Sequence, residues 1–267
     1  MFNPEEHNPK RILIAGDWHR TSHAEFPKRV IDYAKSQGIG TILHVGDFGY
    51  KFGSDQAYYF EKPLHMALKE SEINLFWIDG NHENHEYLRT LEPLPSGFCQ
   101  TGSRGHIYYC PRGLRWEWSG RKFGALGGAL SPNRSHLTEG KTLFAGLEET
   151  KEEDLDRLGT EPLDYLITHD VPRRVALKEN YIIPSAMNPT RNLLQRAVDT
   201  TKPKRVFSGH WHRRLDFRIP RKDNLESFGH LLNKEWRHDN IVILDLEADE
   251  IIEPDPAWLA TTLVGSL

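Results

Sequence analysis

Apolar positions along the chain fall into short blocks and spaced faces. Five blocks rich in β-formers each close on a polar pair: "RILIAGD" on Asp17, "TILHVGD" on Asp47, "INLFWIDGN" on Asn81, "LDYLITH" on His169 and "RVFSGH" on His210. Apolar runs of this length, bounded by turn residues, predict buried strands in a sheet covered on both faces. Between them the period changes. Phe26, Val30 and Ala34 keep a four-residue spacing, "NPTRNLLQRAV" offers Asn188 as N-cap with Pro189 as first helical residue, and "GLEETKEEDLDRL" is charged and amphipathic. "FEKPLHMALKE" also predicts a helix, with Pro63 marking a start or a kink.

Strands alternating with helices predict βαβ crossovers. The middle of the chain departs from this. "HIYYCPRGLRWEWSGRKFGALGGAL" alternates apolar and polar residues between glycine breaks, as hairpins do, and "NIVILDLEADEIIEPDP" predicts a further strand or hairpin. The sum is a layered sheet sandwich with helices outside. At 267 residues, without internal repeat or long linker, one domain covering 1–267 is expected.

Composition narrows this picture little. A formal net charge of −4 gives no general attraction for nucleic acid, so anion binding must come from local clusters or metal. Cys99 and Cys110 are too few for a disulfide scaffold and form no zinc-type pair of motifs. The acidic, proline-containing start resembles neither a signal peptide nor a membrane anchor. A cytoplasmic protein is the expectation.

Loops at the carboxyl ends of parallel strands converge on one crevice. Arriving there are Asp17 and His19 from "GDWH", Asp47 from "GDFG", Asn81 and His82 from "GNHE", His169 from "THD", and His210 with His212 from "GHWH". Carboxylate, amide and imidazole donors suit manganese, iron or zinc rather than calcium. Singly, each has a plain reading: Asp17 as an N-cap, Asn81 and His82 as a turn, His210 at a strand edge. The whole set, in order and at strand ends, points instead to a shared site. His210 and His212, two apart on an extended strand, would face one cleft while Trp211 turns aside.

This ordered set resembles the calcineurin-like metallophosphoesterase superfamily, whose pattern is D-x-H, G-D, G-N-H-[DE], a lone His, then G-H-x-H. The resemblance implies a four-layer αββα sandwich of two mixed β-sheets flanked by helices. It also implies two divalent metal ions, with Mn2+ favoured over Fe or Zn. Asp17, His19 and His212 would hold one metal and Asn81, His169 and His210 the other, with Asp47 bridging. A shared carboxylate and a bridging hydroxide offset the repulsion between the cations, and that hydroxide would attack phosphorus. His82 would face substrate, steadying phosphoryl oxygens or protonating the leaving group. Glu83 and Asp170 would orient imidazoles by accepting their N–H groups.

"GDFGY", "DGNHENHEYL" and "GGALSPNR" look like a branch of small bacterial and phage metallophosphoesterases. Two departures bear on substrate: Arg20 stands where that first motif usually continues with Gly, and Asn133 where the branch often has Asp. Arg20, Arg134, Arg173 and Arg213 are candidates for a phosphate-gripping rim. His85 would lie beside the cleft if a helical turn follows His82. His44, inside an apolar block, is read as a core residue, and Trp18 and Trp211 as site walls or stacking surfaces.

The expected function is hydrolysis of phosphomono- or phosphodiesters, of nucleotides or nucleic-acid ends. The alternatives are a protein Ser/Thr phosphatase-like enzyme, disfavoured because "GDFGYKF" lacks the Asp and Arg of that family's second motif, and a catalytically silent metal-binding scaffold. No membrane partner is expected.

Overall fold

The computed structural model describes residues 3–4, 6–19, 24–51, 57–102, 105–132, 134–177 and 188–260. Within these, the amino-terminal half runs β1 (Arg11–Ala15), α1 (Glu25–Ser36), β2 (Thr41–His44), α2 (Ala57–Ser71), β3 (Asn74–Trp77), α3 (His85–Leu88), β4 (Cys99–Gln100) and β5 (Ile107–Tyr109). It continues through β6 (Arg115–Trp118), β7 (Arg121–Leu126), α4 (Glu152–Leu158), β8 (Tyr165–Thr168), α5 (Pro189–Thr201) and β9 (Arg205–Ser208). The last four strands are β10 (Leu215–Pro220), β11 (Glu226–Leu231), β12 (Ile241–Asp245) and β13 (Glu250–Ile252).

These strands form two sheets, ordered β13-β12-β1-β2-β3-β5-β4 and β10-β11-β9-β8-β7-β6. Both are mixed. β1, β2, β3 and β5 run parallel while β12 pairs antiparallel with β1; β7, β8, β9 and β11 run parallel while β6 and β10 are antiparallel at the edges.

The period of two along each strand assigns the layers. From β1, Ile12 and Ile14 enter the core between the sheets with Leu43, Phe76, Phe123, Ile167 and Phe207, whereas Leu13 and Ala15 turn outward. There they meet Phe26, Val30 and Ile31 of α1 and Leu64 and Leu68 of α2. On the far side Leu126, Leu166 and Val206 pack against Leu155 and Leu158 of α4 and Leu193, Leu194 and Val198 of α5. Helix, sheet, sheet and helix are thus stacked as four layers. Phe76 is fully buried among Phe98, Tyr108 and Trp118, and truncating so large a core ring costs about 3–5 kcal/mol.

Local signals placed several boundaries. Asn188 caps α5, its side chain accepting the Arg191 N–H at 3.2 Å, and Pro189 occupies the first turn. Others moved. Of the two readings of Pro63, a start or a kink, the start falls, because it lies inside α2. α4 begins only at Glu152, because Glu148 and Thr150 are buried in contacts described below and beside Gly127. In the glycine-broken middle, only β6 and β7 form a hairpin, through Ser119 and Gly120, both at positive φ as a type I′ turn requires. β5 instead joins the other sheet, parallel to β3. The β10–β11 hairpin escaped the sequence pattern because its solvent-facing strand alternates half-buried with exposed residues and shows no apolar block.

Candidate metal centre

β1, β2, β3, β8 and β9 end side by side, and each delivers its polar residue one to four positions beyond the last strand residue. The glycine ahead of Asp17, Asp47, Asn81 and His210 is a requirement of space. A Cβ on Gly80 would collide with Asp47 Oδ1 and lie 2.6 Å from His169 Nε2; one on Gly209 would collide with Asp17 Oδ1. The loops also leave extended geometry. His19, Asp47, His210 and His212 have φ of 42°, 54°, 71° and 50°, a left-handed region that costs side-chain-bearing residues about 1–3 kcal/mol each.

His210 and His212 therefore do not alternate along an extended strand, as their spacing suggested. β9 ends at Ser208, and the chain turns sharply enough for Trp211 N–H to reach the Gly209 carbonyl at 2.8 Å. The two left-handed residues carry the imidazoles into the cleft. Trp211 does turn aside: its indole N–H donates to Asp170 at 2.8 Å, and the Arg191 guanidinium lies 5.4 Å from its ring centre.

Asp17, His19, Asp47 and His212 present one ligand atom each, all within 4.8 Å of one another, and Asp47, His169 and His210 do the same on its other side. His212 Nε2 lies 3.4 Å and His19 Nε2 3.7 Å from Asp17 Oδ2, while His169 Nε2 is 3.2 Å from Asp47 Oδ1. Asp17, Asp47, Asn81 and His169 are buried, whereas His19 and His212 stand at the mouth. The site is a polar floor with an open front.

Backbone amides hold the carboxylates. Asp47 Oδ1 accepts N–H groups of Asn81 at 2.9 Å and His82 at 2.8 Å, and both oxygens of Asp17 lie within 3.1 Å of the His210 N–H. Burial alone would raise the Asp47 carboxyl, but His169, His82 and His19 outweigh it and hold it well below the usual carboxylate range. Asp17 is lowered likewise: burial opposes, and His212 and His169 prevail. For His169 burial favours the neutral ring, yet Asp47 and Asp17 raise its pKa to about 10. His210 is depressed to about 4 by burial.

Two buried polar atoms in this floor lack a hydrogen-bond partner among the described residues. They are Asn81 Oδ1 and His169 Nε2, the latter near Asp47 but not aligned with it as a hydrogen bond. His169 Nδ1 meets the Val45 carbonyl at 2.8 Å, which leaves Nε2 facing the cluster. Buried carboxylates with orphaned amide oxygen and imidazole nitrogen are the arrangement that divalent cations satisfy. The donors fit two ions sharing Asp47.

His82 stands beside this set, its ring centre 5.2 Å from that of His19, with its pKa lowered by burial against the pull of Asp47. Glu83 and Asp170 do not spend their described hydrogen bonds on imidazoles. Glu83 accepts the Gly49 and Gly80 N–H groups at 2.9 and 2.5 Å, and Asp170 accepts those of Val171, Trp211 and Asn188. Turn amides reach Glu83, the Val171 amide with the Trp211 indole and Asn188 side chain reach Asp170, and Val45 already takes the His169 N–H. Both carboxylates brace the loops that carry the site.

The substrate-side candidates scatter. Arg20 and Asn133 lie outside the described residues. Arg134 pairs with Glu149 at 2.6 Å and approaches Glu148 at 3.6 Å. His85 is buried, its ring against Phe144 and Nδ1 3.5 Å from Asp79, with a pKa lowered to about 3 by burial. Arg173 and Arg213 each keep interactions within the protein. His44 is fully buried against Trp18 and Phe48, so both His44 and Trp18 belong to the core behind the site.

Sequence reasoning missed a set of buried supports. Asp79 accepts from Arg112 Nε at 2.8 Å and Nη2 at 2.5 Å and from the Tyr109 hydroxyl at 3.0 Å. Arg112 also binds the carbonyls of Leu147, Glu148 and Glu149. Ser131 and Glu148 reach Asn81, and Glu235 donates its N–H to the Asp17 carbonyl at 2.8 Å. The position of Asp79, two residues before Asn81, and that of Ser131, inside "GGALSPNR", were the only signals the sequence offered for any of these.

The chain matches the family model described as Calcineurin-like phosphoesterase over residues 10–214. No curated protein matches it significantly. Among solved structures, TT1561 of Thermus thermophilus superposes with a TM-score of 0.57 at 14% identity, over 93% of this chain and 100% of that one. A second superposes at 0.56 and 13% identity, over 91% and 98%. GAP50, the anchor in the inner membrane complex of Plasmodium, gives 0.48 at 11% identity, over 90% and 82%. For the first two, at such identities, the likeness is one of fold.

Proposed function

Because the chain belongs to the calcineurin-like phosphoesterase family, and so is a metal-dependent phosphoric ester hydrolase, we propose that it cleaves phosphomono- or phosphodiesters of nucleotides or nucleic-acid ends at the cluster around Asp47. The observation that carries this reading is the convergence of two ligand sets on one buried carboxylate. Asp17, His19 and His212 would hold one cation and Asn81, His169 and His210 the other, with Asp47 available to both; Mn2+ is the metal we favour, with Fe or Zn fitting the same donors. When bound, such a pair supplies Lewis acidity toward the phosphoryl oxygens and a water acidic enough to ionise near neutral pH.

The chain's own groups do the rest. Amides of Asn81, His82 and His210 fix the carboxylates so that their free lone pairs face the cleft. His82, kept neutral by burial, donates a ring N–H to a phosphoryl oxygen, the role that suits a neutral ring better than protonating a leaving alkoxide. The mouth at His19 and His212 admits the phosphoryl group from solvent.

The test is a panel with Mn2+ present or chelated, comparing para-nitrophenyl phosphate, bis-para-nitrophenyl phosphate, cyclic nucleotides and 3′-phosphorylated DNA or RNA. Turnover that needs metal and is abolished by Asp47→Asn and by His82→Ala is expected. An unchanged rate in both variants overturns the assignment of the site.

A further inference from the structure

An asparagine side chain has two ends of nearly equal size, and only the oxygen can hold a cation. In Asn81 the choice is made by its neighbours. Asn81 Nδ2 donates to Ser131 Oγ at 3.1 Å, and Ser131 Oγ donates in turn to Glu148 Oε2 at 2.9 Å. Glu148 Oε1 accepts the Ser131 N–H at 3.0 Å. All three side chains are buried.

The polarity of this relay runs one way. Burial raises the Glu148 carboxyl, while the Ser131 N–H and hydroxyl, bonded to its two oxygens, favour the carboxylate; a carboxylate only accepts, so Glu148 draws the Ser131 proton to itself and leaves the serine oxygen presenting a lone pair to Asn81. That lone pair is satisfied by the amide NH2 alone, and Oδ1 is turned into the metal floor, where it has no hydrogen-bond partner among the described residues. Arg112 grips the Leu147, Glu148 and Glu149 carbonyls, and Arg134 Nη1 stands 3.6 Å from Glu148 Oε1. The carboxylate thus has both a fixed backbone and a compensating charge.

We propose that Ser131 and Glu148 are positioning residues that set the amide orientation of Asn81 and thereby complete the second cation site; this rests on the metal centre assigned above. Ser131→Ala removes the acceptor. Glu148→Gln puts an NH2 beside Ser131, so the hydroxyl can turn its proton toward Asn81 and favour the flipped amide. Asn81→Asp, with two equivalent oxygens, has nothing to flip.

Mn2+ binding to the full chain, followed by isothermal titration and by the spin-coupled electron paramagnetic resonance signal of a Mn2+ pair, tests this without reference to turnover. Wild type should take two Mn2+. Ser131→Ala and Glu148→Gln should each weaken one equivalent by about 10–100-fold, the range for losing a supporting partner, with Ser131→Thr near wild type. In the Asn81→Asp background, Ser131→Ala should cost no more than about twofold, the usual scatter of additive effects. Equal losses in both backgrounds, or two unweakened equivalents in Ser131→Ala and Glu148→Gln, overturn the positioning role while leaving the metal centre standing. Fewer than two Mn2+ in wild type overturns the metal centre itself and this inference with it. If Ser131→Ala does not fold, as judged by its thermal transition, Glu148→Gln makes the same comparison in both backgrounds.

Discussion

His19 and His212, 193 residues apart in the chain, meet Nε2 to Nε2 at 2.6 Å. Two imidazole nitrogens this close share a single hydrogen bond, and the rings would have to part slightly to ligate one cation at the ordinary metal–nitrogen distance of about 2.0–2.1 Å. Asp17 Oδ2, 3.4 Å from the second ring, supplies the compensating negative charge.

From this contact follows an asymmetric loss. His19→Ala and His212→Ala should each remove the outer cation while His169 and His210 retain the inner one. Metal analysis of dialysed protein should fall from two equivalents toward one, and turnover by more than about 100-fold, beyond the cost of losing only a supporting partner.

His169 should make metal uptake release protons. Its pKa is raised to about 10, so at neutral pH the metal-free ring is protonated, and a cation must displace that proton. Apparent affinity should climb by about one log unit per pH unit for each proton released. In the metal-free protein the raised pKa stabilises the fold fully below about pH 6.5, the ordinary histidine value, and that contribution is lost as pH rises through about 10. Titrating Mn2+ in two buffers of different ionisation enthalpy counts the protons; a count unchanged in His169→Ala would contradict the assignment.

Gly80→Ala should abolish the centre while preserving the sheets. The added methyl would occupy the space between Asp47 and His169. Far-ultraviolet circular dichroism close to wild type, with metal content falling below one equivalent, is the expected pair of results.

The buried Asp79–Arg112 pair should appear as acid-sensitive stability. Burial would raise the Asp79 carboxyl, but Arg112 and His85 lower it, so its contribution is present above the ordinary carboxylate pKa of about 4 and fades as pH falls through the lower folded value. Asp79→Asn should therefore differ most from wild type near neutrality, and the two denaturation curves should converge in acid. Arg112→Met, which strands a buried carboxylate, should cost about 3–5 kcal/mol. In a chain of this size that lowers the melting temperature by roughly 10 °C.

How much of this could be read beforehand depended on how local each signal is. The five strand-ending pairs, the α1 spacing and the Asn188–Pro189 cap all depend on residues within a few positions of one another, and each of these elements appears. β5 and the β10–β11 hairpin were misread or missed because pairing partners are set across the sheet, not by periodicity. The same holds for the carboxylates: Glu83 and Asp170 stand beside site histidines in sequence, yet satisfy turn amides and an indole.

The sequence by itself determined the donors and their places at strand ends, because residue type and the period of two are properties of a local stretch. The tertiary structure alone decided how they meet. Left-handed backbone at His19, Asp47, His210 and His212, rather than strand alternation, aims the ligands. The Asn81–Ser131–Glu148 relay and the Asp79–Arg112 clamp exist only where separate loops close on a buried floor. There every polar group must find a partner, and which partner it finds is a matter of distance in space, which no single stretch of sequence carries.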